Sequence, residues 1–210
     1  MGVIFITGIG TGIGKTLISA IIAEALDADY WKPVQAGLDS ETDSEWVSRH
    51  ITNGPARVHP ELYKLKKAAS PHIAAREEGK SISIQNICSA VPEIKRNLIV
   101  EGAGGLMVPL NDNEFVADLV QALDAKVILI SRNYLGSINH SLLTASLVKQ
   151  KQLPVIGWVF NDQYLHYENE IAMWSKIPRI ASVPFTDNAD PLFVAAQASV
   201  LKKQLENILW

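Results

Sequence analysis

The chain has a single cysteine, Cys88, in 210 residues. One thiol cannot close an internal disulfide or build a thiolate metal cluster. That excludes a disulfide scaffold and suits a reducing compartment. No apolar run approaches the roughly 18 residues of a membrane span. Neither sign of charge dominates: 19 basic against 22 acidic residues leave a net −3. This excludes a global basic field that would draw the chain onto nucleic acid or an anionic membrane. Repeats, low-complexity tracts and long Gly/Pro/Ser linkers are also missing. The apolar start at residues 1–9 lacks preceding basic residues and runs into a glycine-rich loop, unlike a secretory leader. Ile6 breaks the myristoylation pattern. What is present is the composition of an ordinary globular protein, 48% hydrophobic and 20% charged, expected in the cytoplasm. At about 150 residues per domain, this length gives roughly 1.4 domains. With no dividing linker, residues 1–210 read as one domain, long enough to bury a large core.

Short apolar runs at residues 3–7, 30–33, 97–101, 126–131, 154–160 and 179–183 read as strands. Several are apolar on consecutive positions, as in strands covered on both faces. Helical patterns lie between them at 15–26, 82–95, 115–123, 137–151 and 167–176. A last helix at 194–209 carries Val194, Ala198, Leu201, Leu205 and Leu209 on one stripe. The alternation predicts an α/β fold, a mostly parallel sheet with helices on both faces. Residues 36–79 are the least periodic. Ligands of such folds bind at the carboxyl ends of the strands, so the loops there hold the candidate site.

After the first strand comes Thr7-Gly8-Ile9-Gly10-Thr11-Gly12-Ile13-Gly14-Lys15-Thr16, then a helix beginning near Leu17. Glycines let backbone N–H groups approach phosphate oxygens, and the helix start adds a partial positive charge. Lys15 is placed for β/γ oxygens and the Thr16 hydroxyl for Mg²⁺. The usual spacing requires Gly at position 9, where Ile stands, so this is a lengthened variant of the loop. A dinucleotide GxGxxG fails too, since position 13 is Ile. An incidental glycine turn does not explain strand, Gly-Lys-Thr and helix in this order, and the segment reads as an ATP or GTP site.

Three further groups fall at strand ends. Glu101, followed by Gly102, Ala103, Gly104 and Gly105, is placed for a magnesium ion, since hard cations take oxygen ligands. Alone it is matched by a solvent-facing Glu beside a turn; next to a phosphate loop the metal reading leads. Lys32-Pro33-Val34-Gln35 sets a cation at the sheet edge, although a lone Lys is usually a solvated charge. Asp43 reads locally as a helix N-cap, with a metal carboxylate as the alternative. Gly136-Ser137-Ile138-Asn139-His140 opens a second helix, whose free N–H groups suit a carboxylate or merely an ordinary Ser cap. Asn161-Asp162 ends a strand, as a base-reading amide or a turn pair. The five histidines show no metal spacing, and Trp46, Trp158, Trp174 and Trp210 read as packing residues.

Together these motifs resemble the dethiobiotin synthetases, from Thr7 to about Thr186. The family's phosphate loop is similar to residues 7–16, its Lys-Pro-Val to Lys32–Val34 and its Glu-Gly-Ala-Gly-Gly to Glu101–Gly105. Its Leu-Gly-x-Ile-Asn-His resembles residues 135–140, its adenine-contacting Asn-Asp resembles Asn161-Asp162, and its Ser-Pro-His resembles Ser70-Pro71-His72. The resemblance implies a P-loop-type nucleotide-binding fold acting as a homodimer. The implied reaction joins 7,8-diaminononanoate, CO2 and MgATP into dethiobiotin, ADP and phosphate. One amine captures CO2 as a carbamate, ATP phosphorylates it, and the second amine attacks the mixed anhydride. Lys15 and Lys32 would act on the carbamate and the transferring phosphoryl group. Thr16, Asp43 and Glu101 would hold magnesium. The nucleotide would lie on Gly12, Ile13, Gly14, Lys15, Thr16, Leu17, Asp43, Glu101, Gly102, Ala103, Gly104, Asn161, Asp162, Pro184, Phe185 and Thr186. The substrate would meet Thr11, Lys32 and Ala36, and across the dimer Gly136, Ser137, Ile138, Asn139 and Tyr167. Gly12, Ala36 and Tyr134 depart from other members; Ala36 stands where many carry a Ser or Thr hydroxyl.

The alternative reading is a partitioning-type ATPase switch on a related sheet. Those proteins carry a signature Lys five residues before the loop Lys, where this chain has Gly10. A glutamine-dependent amidating enzyme would need a nucleophilic Cys motif that Cys88 does not provide. A catalytically dead nucleotide module fits poorly with retained Lys15, Thr16, Lys32 and Glu101.

Overall fold

The computed structural model describes residues 2–93, 95–162 and 164–209. Expectations that fell on Met1, Ile94, Trp210 and the Leu209 side chain lie outside what is described. Strand β1 (Val3–Gly8) leads through the glycine loop into α1 (Lys15–Ala25), followed by β2 (Asp29–Trp31) and the short β3 (Val34–Ala36). Next come α2 (Asp43–His50), α3 (Gly54–Arg57), β4 (Val58–His59), β5 (Tyr63–Leu65), α4 (Pro71–Glu77) and α5 (Ile84–Ser89). The remainder alternates: β6 (Leu98–Glu101), α6 (Val116–Ala122), β7 (Lys126–Arg132), α7 (Ser137–Gln150), β8 (Val155–Asn161), α8 (Glu168–Ser175), β9 (Arg179–Val183) and α9 (Pro191–Leu209).

Seven strands form one sheet in the order β4-β2-β6-β1-β7-β8-β9, and each neighbouring pair is parallel. Strands β3 and β5 pair separately. Side chains alternate across the large sheet. Phe5, Val100, Leu129, Trp158 and Phe160 enter one core. Ile4, Ile6, Ile128 and Ile130 enter the other, with Ile18, Ile21 and Ile22 of α1. The stripe Val194, Ala198, Leu201 and Leu205 of α9 is buried in that second core. Each buried Val, Leu or Ile side chain contributes roughly 1.5–3 kcal/mol by leaving water.

The differences from the sequence reading have local causes. The strand expected at 30–33 stops at Trp31, because Pro33 has no N–H for a ladder; β3 then pairs with β5 instead. The helix expected at 82–95 is only Ile84–Ser89. Pro92 disfavours helical geometry at Val91. The last helix starts earlier, at Pro191, as proline's fixed φ suits a first helical turn. Trp158 is fully buried, whereas Trp174 is 48% exposed, so the packing expectation fails there.

Strands β2, β6 and β1 are consecutive in the sheet. Their carboxyl ends therefore bring Lys32, Glu101 and the glycine loop side by side.

Candidate active site

The glycine loop is shaped by steric demands on both sides. Gly14 caps α1 at φ 88°, and a Cβ there would collide with the Asn161 amide. Asn161 Nδ2 donates to Ile13 O at 3.0 Å, so the end of β8 holds the loop from behind. Gly8 has no room for a Cβ against Ile130 O. Lys15 is buried, and its Nζ donates to Gly10 O at 2.7 Å. Burial brings the Lys15 ammonium down to about 8; Glu101 opposes the shift and Lys32 adds to it.

The Thr16 hydroxyl lies 2.9 Å from Asp43 Oδ1 and 3.1 Å from Glu101 Oε1. Lys32 Nζ bridges the same carboxylates, bonding to Asp43 Oδ2 and to Glu101 Oε1 at 3.2 Å. Tyr30 donates its hydroxyl to Glu101 Oε2 at 2.9 Å. Burial and the neighbouring Glu101 push the Tyr30 phenol well above its usual pKa, so it stays a donor. Asp43 is the first residue of α2 and not its cap. Thr42 is the cap, accepting from Glu45 N while Glu45 accepts from Thr42 N. That capping box turns Asp43 inward toward Thr16. Two carboxylates and a hydroxyl converging here are a hard-oxygen donor set, which fits Mg²⁺.

A cavity of about 760 Å³ opens over this cluster. Of the residues expected from the sequence, Thr11, Gly12, Gly14, Lys15, Thr16, Lys32, Ala36, Asp43, Glu101, Ala103 and Gly104 line it. Ile13 is buried behind the loop, and Gly102 packs on Phe5. Asp162 follows β8, where Arg132 approaches it at 3.5 Å. Pro184, Phe185 and Thr186 lie in the loop after β9, with Phe185 exposed. The α7 start is separate from this cavity within one chain. Ser137 is buried, and its hydroxyl meets the Tyr167 hydroxyl at 2.7 Å. Tyr167 itself donates to Tyr134 O. Asn139 is exposed and Ile138 half-buried.

Sequence reasoning gave no role to Tyr30 or Gln35, and Ser70 entered it only as part of the Ser70-Pro71-His72 resemblance. Tyr30 reads as one more strand residue, and only its register beside β6 brings it to Glu101. Gln35 and Ser70 line the cavity through the β3–β5 pairing, which no local pattern foretells.

A family model described as an AAA domain matches residues 3–192. The chain is 56% identical over 158 residues to an ATP-dependent dethiobiotin synthetase BioD of Cytophaga hutchinsonii, covering 75% of each chain. It is 43% identical over 202 residues to the protein of the same name in Christiangramia forsetii, covering 96% of each. Among solved structures, the MinC:MinD cell division protein complex of Aquifex aeolicus matches with TM-score 0.61 at 15% identity, covering 100% of this chain and 96% of that one. A ParA family ATPase from Chlorobium tepidum matches with TM-score 0.57 at 14% identity, covering 99% and 95%. These structural likenesses show a shared P-loop sheet. The sequence relatives are far nearer, and by them the chain belongs to the ATP-dependent dethiobiotin synthetase family.

Proposed function

We propose that the chain closes the ureido ring of dethiobiotin from 7,8-diaminononanoate, CO2 and ATP, releasing ADP and phosphate. The observation that carries this reading is the convergence of Lys15, Thr16, Lys32, Asp43 and Glu101 at one cavity. Phosphoryl transfer onto a carbamate concentrates negative charge, and two fixed ammonium groups offset it in a water-poor site. Lys15, beneath the glycine loop, would meet the β/γ oxygens. Lys32, tethered between Asp43 and Glu101, would meet the carbamate end. Thr16, Asp43 and Glu101 would hold Mg²⁺, which supplies charge neutralisation of the nucleotide's phosphates. Tyr30 keeps the Glu101 carboxylate oriented by its hydrogen bond.

The nucleotide's adenine would lie toward Asn161 and residues 184–186. The working unit would be a homodimer, with the substrate carboxylate received by the partner's α7 start. Two features support this: exposed Leu135 (92%) just precedes that helix and exposed Leu143 (61%) lies midway along it, and the helix start is not among the residues that line the cavity. An ATPase switch is less supported, because Gly10 stands where its signature Lys is needed. Supplying diaminononanoate, bicarbonate and MgATP and finding dethiobiotin by mass spectrometry tests the proposal. ATP turnover independent of the diamine would count against it.

A further inference from the structure

Gln35 lines the same cavity as Lys15 and Lys32 but has no part in the machinery described so far. Pro33 interrupts the chain between β2 and β3 and shifts the side-chain alternation by one residue. Trp31, Val34 and Ala36 therefore pack on one core, and Gln35, alternating with Val34 and Ala36, is turned away from it. Gln35 is 8% exposed. Its Nε2 donates to Ala36 O at 3.3 Å and to Gly37 O at 3.2 Å. These bonds fix the direction of the amide, since a flip would set its oxygen against two carbonyl oxygens. The Oε1 atom is buried and has no hydrogen-bond partner among the described residues. Holding a buried acceptor in this state opposes folding. The other side-chain acceptors of the cavity are engaged or wet. Asp43 and Glu101 bond to Thr16 and Lys32, and the Ser70 hydroxyl meets His72 Nδ1. Thr11, Asp39, Ser40 and Glu41 line the cavity at exposed positions, where water satisfies them.

We propose that Gln35 Oε1 accepts the N–H of the carbamate, and so favours the carboxylated nitrogen over the free amine. The inference rests on the ring-closing reading above. When the primary amine bonds to the carbon of CO2, its nitrogen sheds one proton to solvent and keeps one N–H. That nitrogen gives its lone pair to the new carbonyl, so it is no longer basic and its N–H is a stronger donor. A neutral amide oxygen suits this group. It pairs with the N–H without favouring an ammonium ion, which cannot attack CO2. A carboxylate in the same place would favour the ammonium ion and repel the carbamate's own charge. The N–H survives both later steps. Phosphorylation takes place at a carbamate oxygen, and the second amine, losing one proton, adds at carbon as phosphate leaves. The N–H is most polarised in the mixed anhydride, so the contact strengthens along the reaction, which is the kind of binding that raises turnover. With Lys32 on the carbamate oxygens and Gln35 on its N–H, the plane of the carbamate is fixed for attack by the second amine.

The test follows enzyme-bound carbamate by ¹³C NMR, with diaminononanoate, ¹³C-bicarbonate and MgADP in place of ATP. Calorimetry adds diamine affinity in CO2-free buffer and MgADP affinity, and the melting temperature is recorded for each protein. Gln35→Met keeps the length of the side chain and removes the acceptor. It is expected to lower the carbamate signal about 10-fold at subsaturating bicarbonate, the change equivalent to about 1.4 kcal/mol of hydrogen bonding. Gln35→Glu keeps the shape but adds a charge beside the carbamate, and should lower the signal at least as far. In Gln35→Met the diamine affinity without CO2, the MgADP affinity and the melting temperature should stay at wild-type values. Ala36 and Gly37 are half-buried, so water replaces Nε2 at their carbonyls. A carbamate signal at wild-type strength in either variant overturns the inference while leaving the ring-closing function intact. Equal losses of CO2-free diamine affinity, nucleotide affinity and thermal stability would make Gln35 merely structural and overturn it as well. A wild type that forms no bound carbamate overturns the functional reading and this inference together.

Discussion

Lys15 should make nucleotide binding take up protons in a narrow pH window. Its ammonium titrates at about 8 instead of 10.5, because burial disfavours the charged form. At pH 8 the side chain is therefore half protonated. Phosphate oxygens against Nζ favour the charge and return the group toward its ordinary value. Binding at pH 8 should then take up about 0.5 proton per site from this group, against about 0.03 at pH 6.5. The sign follows: nucleotide affinity should be fully present below pH 8 and decline as pH rises through it. Calorimetry of MgADP binding in buffers of unequal ionisation enthalpy reads the uptake directly. Lys15→Met should abolish the uptake at pH 8. The same burial destabilises the folded chain below pH 8 by about 3 kcal/mol, a penalty relieved between pH 8 and 10.5. Lys15→Met should thus raise the denaturation midpoint at pH 7 while removing turnover. Equal proton uptake by wild type and Lys15→Met at pH 8 would refute the reasoning.

Glu101→Gln keeps the Tyr30 contact and the shape but removes a charge from the proposed Mg²⁺ site. The magnesium titration of activity should move to at least about 10-fold higher concentration, with thermal stability little changed. Arg57 is 2% exposed, and its guanidinium donates to Ala23 O, Ala28 O, Thr52 O and Glu24. Arg57→Met leaves those acceptors unsatisfied and should destabilise by about 3–5 kcal/mol, seen as a melting temperature lower by about 10 °C. Mixing Lys15→Ala with Asn139→Asp should recover about a quarter of wild-type activity after subunit exchange, since a twofold dimer with shared sites gives each mixed dimer one intact site. No recovery, with exchange confirmed by tagged chains, would place both groups in one chain.

The parts of the site legible in the sequence were those fixed by short covalent spacing. A strand, the glycines and Lys15-Thr16 need only local geometry to become a phosphate loop. Glu101 is similarly fixed by the end of an apolar strand. Residues 36–79 were not legible, because α2, α4 and the β3–β5 pair are too short to show a period and are stabilised by tertiary packing. Thr42-Asp43-Ser44-Glu45 did carry a capping-box signature, and reading it would have moved the cap from Asp43 to Thr42. The contact of Tyr30 with Glu101 depends on β2 pairing with β6, and that pairing is decided by the whole core.

The origin of the released phosphate's fourth oxygen tests the central claim most directly. With ¹⁸O-labelled bicarbonate, unlabelled water, diaminononanoate and MgATP, ring closure through the mixed anhydride expels phosphate carrying a carbamate oxygen. Mass spectrometry of early product should therefore show phosphate with one ¹⁸O, formed in step with dethiobiotin. Phosphate whose new oxygen comes only from water would contradict the account and make the chain an ATP hydrolase.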